Sequence, residues 1–562
     1  MAFTSLNYLI FFPLLAVLYW ITPVKFRWLL LLIASYFFYI NCKPVYALLL
    51  AGITVCTYLF TRLIDATDVE SKKKRYMVIN IVLILLPLLF FKYFSKVNDG
   101  IIGLLELHHI RWPLPEIKLF LPVGISFYTF MAIGYTVDVY NEEIKAERNL
   151  GIVALFLSFF PLILSGPIER AKNMLPQFKT IGNLNYDMVV QGLKLMLWGY
   201  FMKLVVADRL GIYIDLVYTK FSTINGTNLL IASIFCPFQL YADLGGYSLI
   251  AIGTAKILGI NVMQNFNRPF FAPSMAELWR RWHISLISWL TDYVYTPLSF
   301  AFRKYKLRGI ALALLITFII SGIWHGAAIT FMVWGLIQGI FLSIEALTGK
   351  IRTKFETRHH LKNNGLYTIF GICLTFVLFA ASLIIGKAEN IRDALFIYEK
   401  IFSTTGASLI GLSLLIVGIT GLILLLIKDG ADKYSHIKWL VFINKHKTIG
   451  FFAIGLCIAF ILFAFSQIPG RTVNFNGAFY GFKNIVPGIK LLYTEDHSTF
   501  ILSVLSISIL LFKDVTDEYT PSKFLIFENK HKIVRVLAYS STIILILLIG
   551  VLDGGQFIYF QF

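Results

Sequence analysis

The sequence predicts an all-α polytopic membrane protein. Of its 562 residues, 58% are hydrophobic and only 14% are charged, and the mean hydropathy is +0.75. A soluble domain of this composition could not cover its surface with polar groups. Apolar stretches recur along the whole chain, beginning at 6–21, 28–40, 45–61 and 77–94. Roughly a dozen to fifteen of them approach the ~20 residues that a helix needs to cross a bilayer.

The basic residues, which give a net charge of +19, gather in short loops between the apolar stretches. They include Lys25 and Arg27, the run 72–75, and the stretches near 428–447 and 513–532. Loops rich in lysine and arginine are retained in the cytoplasm, so we interpret these charges as membrane anchors and not as a nucleic-acid surface. This placement predicts an even number of crossings, with both termini on the extracytoplasmic side of the membrane.

Two segments depart from simple spanning helices. Residues 121–140 are apolar but interrupted by Pro122, Gly124 and Gly134, which predicts a kinked span or a re-entrant piece with its backbone buried in protein. In 275–300, tryptophans alternate with charged residues, which indicates a helix near the interface or lining a polar funnel. The alternative is an aromatic-belt helix anchored by arginines that extend to the interface.

The C-terminal third contains an internal repeat. Three blocks recur at offsets of 84 or 85 residues: 376–380 as 460–464, 428–434 as 513–519, and 440–447 as 525–532. We interpret the repeat as a tandem duplication of a peripheral helix pair, with convergent hairpin composition as the alternative. The predicted organisation is a core at 1–375, a first helix-pair unit at 376–459, and a second unit with the C-terminal tail at 460–562.

Two tryptophan-flanked histidines, His283 and His325, stand where the sequence otherwise predicts membrane-embedded protein. An ionisable group in hydrocarbon costs several kcal/mol unless it faces a cavity or a partner. Imidazole is also the side chain best suited to moving protons near neutral pH. The pair therefore predicts proton-transfer chemistry inside a membrane, and the alternative for each histidine is a structural hydrogen bond.

Acyl transfer is a reaction that such a pair could support. A hydroxyl is a poor nucleophile until a base withdraws its proton, and a neutral imidazole is a suitable base. The acyl carbonyl also needs a donor for its developing negative charge. A second histidine, or a nearby tryptophan, amide or hydroxyl, could supply that donor.

Several motifs along the chain carry a more specific resemblance. They are Leu121-Pro-Val-Gly-Ile-Ser-Phe-Tyr-Thr-Phe130, Ser165-Gly-Pro-Ile-Glu-Arg170, Ala207-Asp-Arg209, Asn265-Phe-Asn-Arg-Pro269, Glu277-Leu-Trp-Arg-Arg-Trp-His-Ile-Ser285 and Trp324-His-Gly326. Together they make the chain similar to the membrane-bound O-acyltransferases, in the bacterial branch of the alginate O-acetylation membrane proteins.

The resemblance implies a multi-helix bundle around a tunnel. His325 matches the histidine that the family requires for catalysis, and His283 matches the second histidine of the tunnel wall. It further implies that acetyl-CoA or another acyl thioester enters from the cytoplasm as a donor substrate. The acyl group, most simply acetyl, would then pass toward hydroxyls of an extracytoplasmic polysaccharide through a separate esterase-like partner protein. No metal site and no bound cofactor are expected.

Five further residues are candidates for the tunnel or for donor binding: Trp324, Trp282, Arg280, Arg281 and Asp243. The two arginines could hold phosphates of the donor, or they could anchor the protein at the interface. Asp243 could orient a histidine or contact the donor, and it could equally cap a helix or pair with an arginine.

Three other functions stay open on the sequence alone. The same family chemistry includes D-alanyl transfer from a carrier protein to a teichoic-acid-type polymer. A proton-coupled transporter could use buried histidines as a relay, although no inverted repeat of the core and no string of intramembrane carboxylates is evident. A scaffold for polysaccharide export would not need either histidine.

Overall fold

The computed structural model describes residues 1–41, 44–108, 121–180, 182–361, 364–404, 497–519, 527–529 and 531–551. Within these ranges the regular elements are helices, which confirms the predicted all-α fold. Eight helices there are long and apolar enough to cross a membrane. They confirm the prediction of a multi-pass membrane protein.

The helices are numbered along the described residues. The first ten are α1 (Leu6–Ile21), α2 (Val24–Ile40), α3 (Pro44–Asp65), α4 (Glu70–Leu107), α5 (Ile125–Tyr140), α6 (Leu150–Ser158), α7 (Phe160–Ile163), α8 (Ala171–Lys179), α9 (Tyr186–Tyr200) and α10 (Asp208–Thr219). The others are α11 (Gly226–Ile257), α12 (Met275–Arg281), α13 (Ile284–Leu290), α14 (Thr296–Ala301), α15 (Lys306–His325), α16 (Ile329–Arg358), α17 (Gly365–Lys387), α18 (Ile391–Thr404), α19 (His497–Tyr519) and α20 (Lys532–Ile549). Short π-helical segments at Phe201–Ala207 and Thr291–Tyr295 and 3₁₀ turns at Pro269–Phe271 and Arg303–Tyr305 join some of them.

Helix α11 forms the centre of the bundle. In the most apolar 18-residue stretch of α11, 83% is buried inside the protein. The corresponding share is 17–56% for the spanning helices α3, α4, α9–α10, α15, α16 and α17. Helix α11 packs against α9, α10, α17 and α18. A helix buried on every side needs no polar face, and α11 accordingly shows no division into a polar and an apolar side. The exposed apolar residues of the outer helices form a surface suited to lipid.

The first two basic loops lie on one face of the bundle. The Arg27 guanidinium donates to the Gly182 carbonyl at 2.9 Å, just after α8. At the start of α8, Lys172 pairs with Glu143 at 3.2 Å. The neighbouring Glu142 pairs with Lys73 of the second basic loop. A continuous series of contacts therefore joins the two loops, as expected if both remain in the cytoplasm.

The segment 121–140 becomes a short buried helix. Gly124 has a φ of 76°, in the left-handed region that favours glycine, and α5 begins at the next residue. Nearly the whole of α5 is buried. Its Phe130 stacks on Trp289 with ring centroids 4.2 Å apart, and the Phe130 carbonyl accepts from the Trp289 indole at 2.9 Å. This irregular entry sits within protein, as non-helical backbone at membrane depth requires.

The expectation of one helix over 275–300 is wrong. Helix α12 ends at Arg281, and His283 takes a left-handed backbone with a φ of 46° before α13 begins. Two backbone hydrogen bonds join this break to the segment that precedes α12. The Ile284 amide donates to the Asn265 carbonyl at 2.8 Å, and the Asn267 amide donates to the Arg281 carbonyl at 2.9 Å. Trp279, Trp282 and Trp289 are all buried and form no interfacial belt.

The repeat lies mainly outside the described residues. The second copy of the first block, 460–464, and the first copies of the other two blocks, 428–434 and 440–447, lie there. By contrast, 376–380 belongs to α17 and 513–519 to α19. The proposed boundary between 375 and 376 lies within α17, which is continuous. Helix α19 packs against α10 and the first π-helical segment. The division into a core and two helix-pair units stays a proposal.

Helices α15 and α16 approach so closely that glycine is required between them. A Cβ atom on Gly335 would lie 2.3 Å from the Phe318 carbonyl oxygen and 2.9 Å from the Gly322 Cα. Small residues allow such contact between membrane helices. Since His325 is the last residue of α15, the contact also fixes the position of that histidine relative to α16.

We therefore expect Gly335→Ala to destabilise the protein by about 1–3 kcal/mol, the usual cost of overpacking. The measurement is the thermal unfolding midpoint of purified protein, with the membrane level as a second readout. Gly349→Ala on the same helix is the matched control, because nothing lies within 4 Å of the added methyl group. Equal midpoints for the two variants would contradict the proposed tight contact.

Candidate functional site

His325 ends α15 and lies between two small cavities. It is the one described residue that lines both of them. The indole of Trp334 meets its ring edge-to-face at 5.2 Å, and the preceding Trp324 lies 4.7 Å away. Gly326 follows in extended conformation and turns the chain toward α16. The imidazole is thus fixed by aromatic walls yet accessible from two directions.

The two cavities differ in chemistry. The first, about 50 Å³, is lined by Lys92 of α4, the turn 121–127 at the start of α5, Leu164 and Trp324. The second, about 70 Å³, is mainly apolar and is lined by Trp282, Trp334, Phe331, Phe379, Leu383 and neighbouring residues of α11 and α17. A small polar group and a small apolar group could therefore approach His325 from different sides.

His283 occupies the break between α12 and α13 and is buried. Its Nδ1 lies 3.2 Å from the Asn265 side-chain oxygen. That oxygen also accepts from the Ser285 backbone amide at 3.2 Å and from the Ser285 hydroxyl at 2.9 Å. A backbone amide can only donate, so the Asn265 atom must be the oxygen and His283 must carry its proton on Nδ1. Nε2 is then the acceptor nitrogen.

Burial also fixes the charge of His283. Removal from water lowers the pKa of its imidazole to about 3, because desolvation disfavours the cation. The ring is therefore neutral throughout the physiological pH range. A neutral, oriented imidazole can accept a hydrogen bond through Nε2, a task that an imidazolium could not perform.

The structure brings the two predicted histidines into contact with one indole. The ring centroid of Trp324 lies 6.3 Å from that of His283 and 4.7 Å from that of His325. Trp282, the other tryptophan predicted for the site, packs on Phe266 and Phe379 and lines the apolar cavity with His325. Both tryptophans thus belong to the walls around the histidine pair.

A much larger cavity, about 500 Å³, borders the residues that hold His283. Its wall includes Asn265, which holds His283, and Ser248, which accepts from Asn265 at 2.9 Å. The charged residues that line it are Lys194, Lys256, Arg268, Lys513, Asp514, Asp517 and Glu528. It is therefore a strongly polar chamber, and part of its wall comes from the distant C-terminal helix α19.

The two arginines of the α12 motif are engaged with carboxylates. Arg281 lies between Glu277 at 2.9 Å and Glu518 of α19 at 3.0 Å. Arg280 is 76% exposed and lies 3.4 Å from Glu277. Neither lines the large cavity, whereas Arg268 lines it and also pairs with Glu518 at 2.8 Å. These ion pairs fasten α19 beside the histidine motif.

Asp243 takes part in a buried ionic triad away from the cavities. The Lys203 ammonium lies 2.7 Å from a carboxylate oxygen of Asp243 and 2.7 Å from one of Asp208. All three side chains are less than a tenth exposed. Asp243 therefore pairs with a lysine, Lys203. The triad connects α11 to the π-helical segment after α9.

Sequence reasoning missed two residues of the site. Asn265 begins one of the motifs on which the resemblance rests, Asn265-Phe-Asn-Arg-Pro269. Nothing in the sequence indicated that its side chain would contact His283. Lys92 lies in the apolar run Phe90-Phe-Lys-Tyr-Phe94. A single lysine inside a spanning segment is a signal that could have found it, because charges there are costly and face cavities or partners.

Known proteins show similarity over much of the chain. The model of the membrane-bound O-acyltransferase family matches residues 148–385. A probable alginate O-acetylase of Pseudomonas aeruginosa is 34% identical over 409 residues, which is 72% of this chain and 75% of the relative. A peptidoglycan O-acetyltransferase of Helicobacter pylori is 31% identical over 68% of this chain and 75% of the relative. A teichoic acid D-alanyltransferase of Bacillus subtilis is 29% identical over 47% of this chain and 69% of the relative.

The buried ionic triad predicts which of its variants is the less stable. Lys203→Met leaves two carboxylates buried without their cation, and breaking a buried pair in this way costs about 3–5 kcal/mol. Asp243→Asn keeps the Lys203–Asp208 pair and should cost clearly less. The measurement is the thermal unfolding midpoint of each variant in the same detergent. If Asp243→Asn lowered the midpoint as far as Lys203→Met, the interpretation of Lys203 as the centre of the triad would be wrong.

Proposed function

The chain belongs to the membrane-bound O-acyltransferase family, and we propose that it moves an acetyl group from a cytoplasmic thioester donor toward a hydroxyl of an extracytoplasmic polysaccharide. That it is an O-acyltransferase follows from its family. The observation that carries the finer proposal is the position of His325, between two small cavities and one indole away from His283. A base accessible from two sides can receive a donor and an acceptor separately.

The large polar cavity is the proposed entrance for the donor. Lys194 of α9 and Lys256 at the end of α11 line this cavity. The end of α11 lies near the first basic loop, because the Ile257 carbonyl accepts from the Trp20 indole at 3.1 Å and the Trp20 carbonyl accepts from Arg27 at 3.4 Å. Arg268 and Lys513 add two more cations to the wall. Coenzyme A and the phosphopantetheine arm of a carrier protein both carry phosphates, which such cations bind. We assign the phosphate contacts to these residues, and we assign Arg280 and Arg281 to holding α12 and α19 together.

In the proposed reaction His325 acts as the general base. It takes the proton of the acceptor hydroxyl as the oxygen attacks the thioester carbonyl carbon. The tetrahedral intermediate then collapses, the carbon–sulfur bond breaks, and the proton passes to the leaving sulfur. His283, with its acceptor nitrogen Nε2, is suited to orienting a hydroxyl or thiol and not to donating to the carbonyl oxygen. Trp282 and Trp324 exclude water from the reacting groups.

The acceptor side is proposed from the small cavities and the relatives. Cavities of about 50 and 70 Å³ beside His325 suit a short acyl group. The relatives named as alginate O-acetylase and peptidoglycan O-acetyltransferase support a polysaccharide acceptor. We propose that this acceptor is reached through a separate esterase-like partner protein. D-alanyl transfer is the second candidate, supported by the relative named as a teichoic acid D-alanyltransferase over a smaller share of the chain. With the basic loops in the cytoplasm, both termini would lie outside.

The proposed role of His325 predicts loss of acylation without loss of protein. In a deletion strain complemented with the gene, His325→Ala should lower the ester content of the surface polysaccharide at least about 100-fold, the usual contribution of a general base. His283→Ala should lower it less. His360→Ala, on an exposed residue, is the control. Equal membrane levels are checked by immunoblot, and full ester content with His325→Ala would overturn the catalytic assignment.

The donor cavity gives a separate kinetic prediction. Lys194→Gln and Lys256→Gln should each raise the KM for acetyl-CoA about tenfold, with little change in kcat, because a charge-assisted phosphate contact is worth about 1.5–3 kcal/mol. The assay is acetyl transfer by protein in nanodiscs. Lys220→Gln is the matched control, since Lys220 is exposed and does not line the cavity. An unchanged KM in both variants would place the donor phosphates elsewhere.

A further inference from the structure

Lys92 places an ammonium group in the small polar cavity that His325 lines. It belongs to α4, a candidate membrane span, and reaches the end of α15, where it donates to the Trp324 carbonyl. Its Nζ also lies 5.6 Å from the centre of the Trp324 ring. The same indole contacts both His325 and His283, so the ammonium stands beside the proposed reaction site.

Capping of α15 explains the hydrogen bond but not the charge. The last carbonyls of a helix lack an intrahelical donor, and α15 ends at His325. Lys92 supplies a donor to Trp324, and the hydroxyl of the next residue, Tyr93, supplies one to the Ile323 carbonyl. Two neighbouring residues of α4 thus cap two consecutive carbonyls. Tyr93 performs this task with a neutral group, so capping alone does not require an ammonium.

A lysine at this depth is costly to keep. Insertion of a lysine at the centre of a membrane helix is strongly unfavourable. Among the ion pairs of the described residues, none joins Lys92 to a carboxylate within 4 Å. Its charge therefore acts on the cavity and on whatever group occupies it. Charges kept at this cost inside membranes are usually functional.

The beginning of α5 adds to the positive potential of this cavity. Gly124, Ile125 and Ser126 line it, and no side chain caps the helix there. The N-terminus of a helix carries partial positive charge. The cavity thus combines a cation and a helix N-terminus with a base, and its electrostatics suit a group on which negative charge develops.

We propose that Lys92 is a catalytic residue whose ammonium stabilises the negative charge on the acyl carbonyl oxygen during transfer. This inference rests on the proposed function of His325. As the acceptor oxygen bonds to the carbonyl carbon, its proton goes to His325 and the carbonyl electron pair moves to oxygen. When the carbonyl re-forms, the carbon–sulfur bond breaks and the sulfur takes the proton from His325. Lys92 keeps its protons throughout and supplies charge alone.

The test separates charge from capping. Lys92→Gln keeps a neutral donor that can reach the Trp324 carbonyl, and Lys92→Arg keeps the charge. In the complemented deletion strain we expect Lys92→Gln to lower the ester content per unit of membrane protein about 10²–10³-fold, as removal of one oxyanion donor does. Lys92→Arg should retain most of the activity. Tyr93→Phe, which removes the neighbouring cap without changing charge, should stay within about threefold of wild type.

Wild-type ester content with Lys92→Gln would overturn the proposal, as would a loss with Tyr93→Phe equal to that with Lys92→Gln. Lys92→Met serves as a second neutral variant if the glutamine variant fails to accumulate, because it adds no polar group to the membrane. His325→Ala is measured in parallel. Full activity of His325→Ala defeats the proposed function itself, whereas an inactive His325→Ala beside an active Lys92→Gln defeats only the role of Lys92.

Discussion

Polar and charged side chains inside a bilayer must find their partners within the protein, and this requirement organises the whole structure. Water is absent from the hydrocarbon region, so each such group is either matched or directed into a cavity. The Lys203 triad is the matched case, and it joins α11 to the irregular segment after α9. Asn265 is a second matched case, since one amide oxygen gathers three donors around His283. Lys92 is the group directed into a cavity.

Irregular backbone is what makes the site possible. His283 stands at a break with a φ of 46°, and the segment around Asn265 supplies the hydrogen bonds that a continuous helix would have supplied itself. Likewise, His325 stands where α15 ends, so its ring projects beyond the helix between two cavities. A continuous helix would have held either imidazole against its own backbone. The two breaks bring both histidines within 6.3 Å of the Trp324 ring centroid.

Much of this could be predicted from the sequence, and the limits have physical causes. Composition and apolar length predict the helices, and the cost of intramembrane charge singles out His283 and His325. The break after Arg281 has no glycine or proline to announce it, because its cause is the pairing with Asn265 and Asn267 in space. The partner of Asp243 is 40 positions away at Lys203, and that of Arg281 lies in α19 at Glu518. Long-range ion pairs of this kind depend on the assembled bundle and leave no local pattern.

The ion pairs of Glu518 have a consequence for biogenesis. Helix α19 fastens Arg268 and Arg281 beside the histidine motif and forms part of the wall of the large cavity. A ribosome makes these residues long after both histidines have left it. The nascent chain therefore holds its two histidines in the membrane before its donor chamber is closed. Assembly of a complete site is thus coupled to the near-completion of translation, and a chain interrupted before Glu518 lacks the clamp on its own histidine motif.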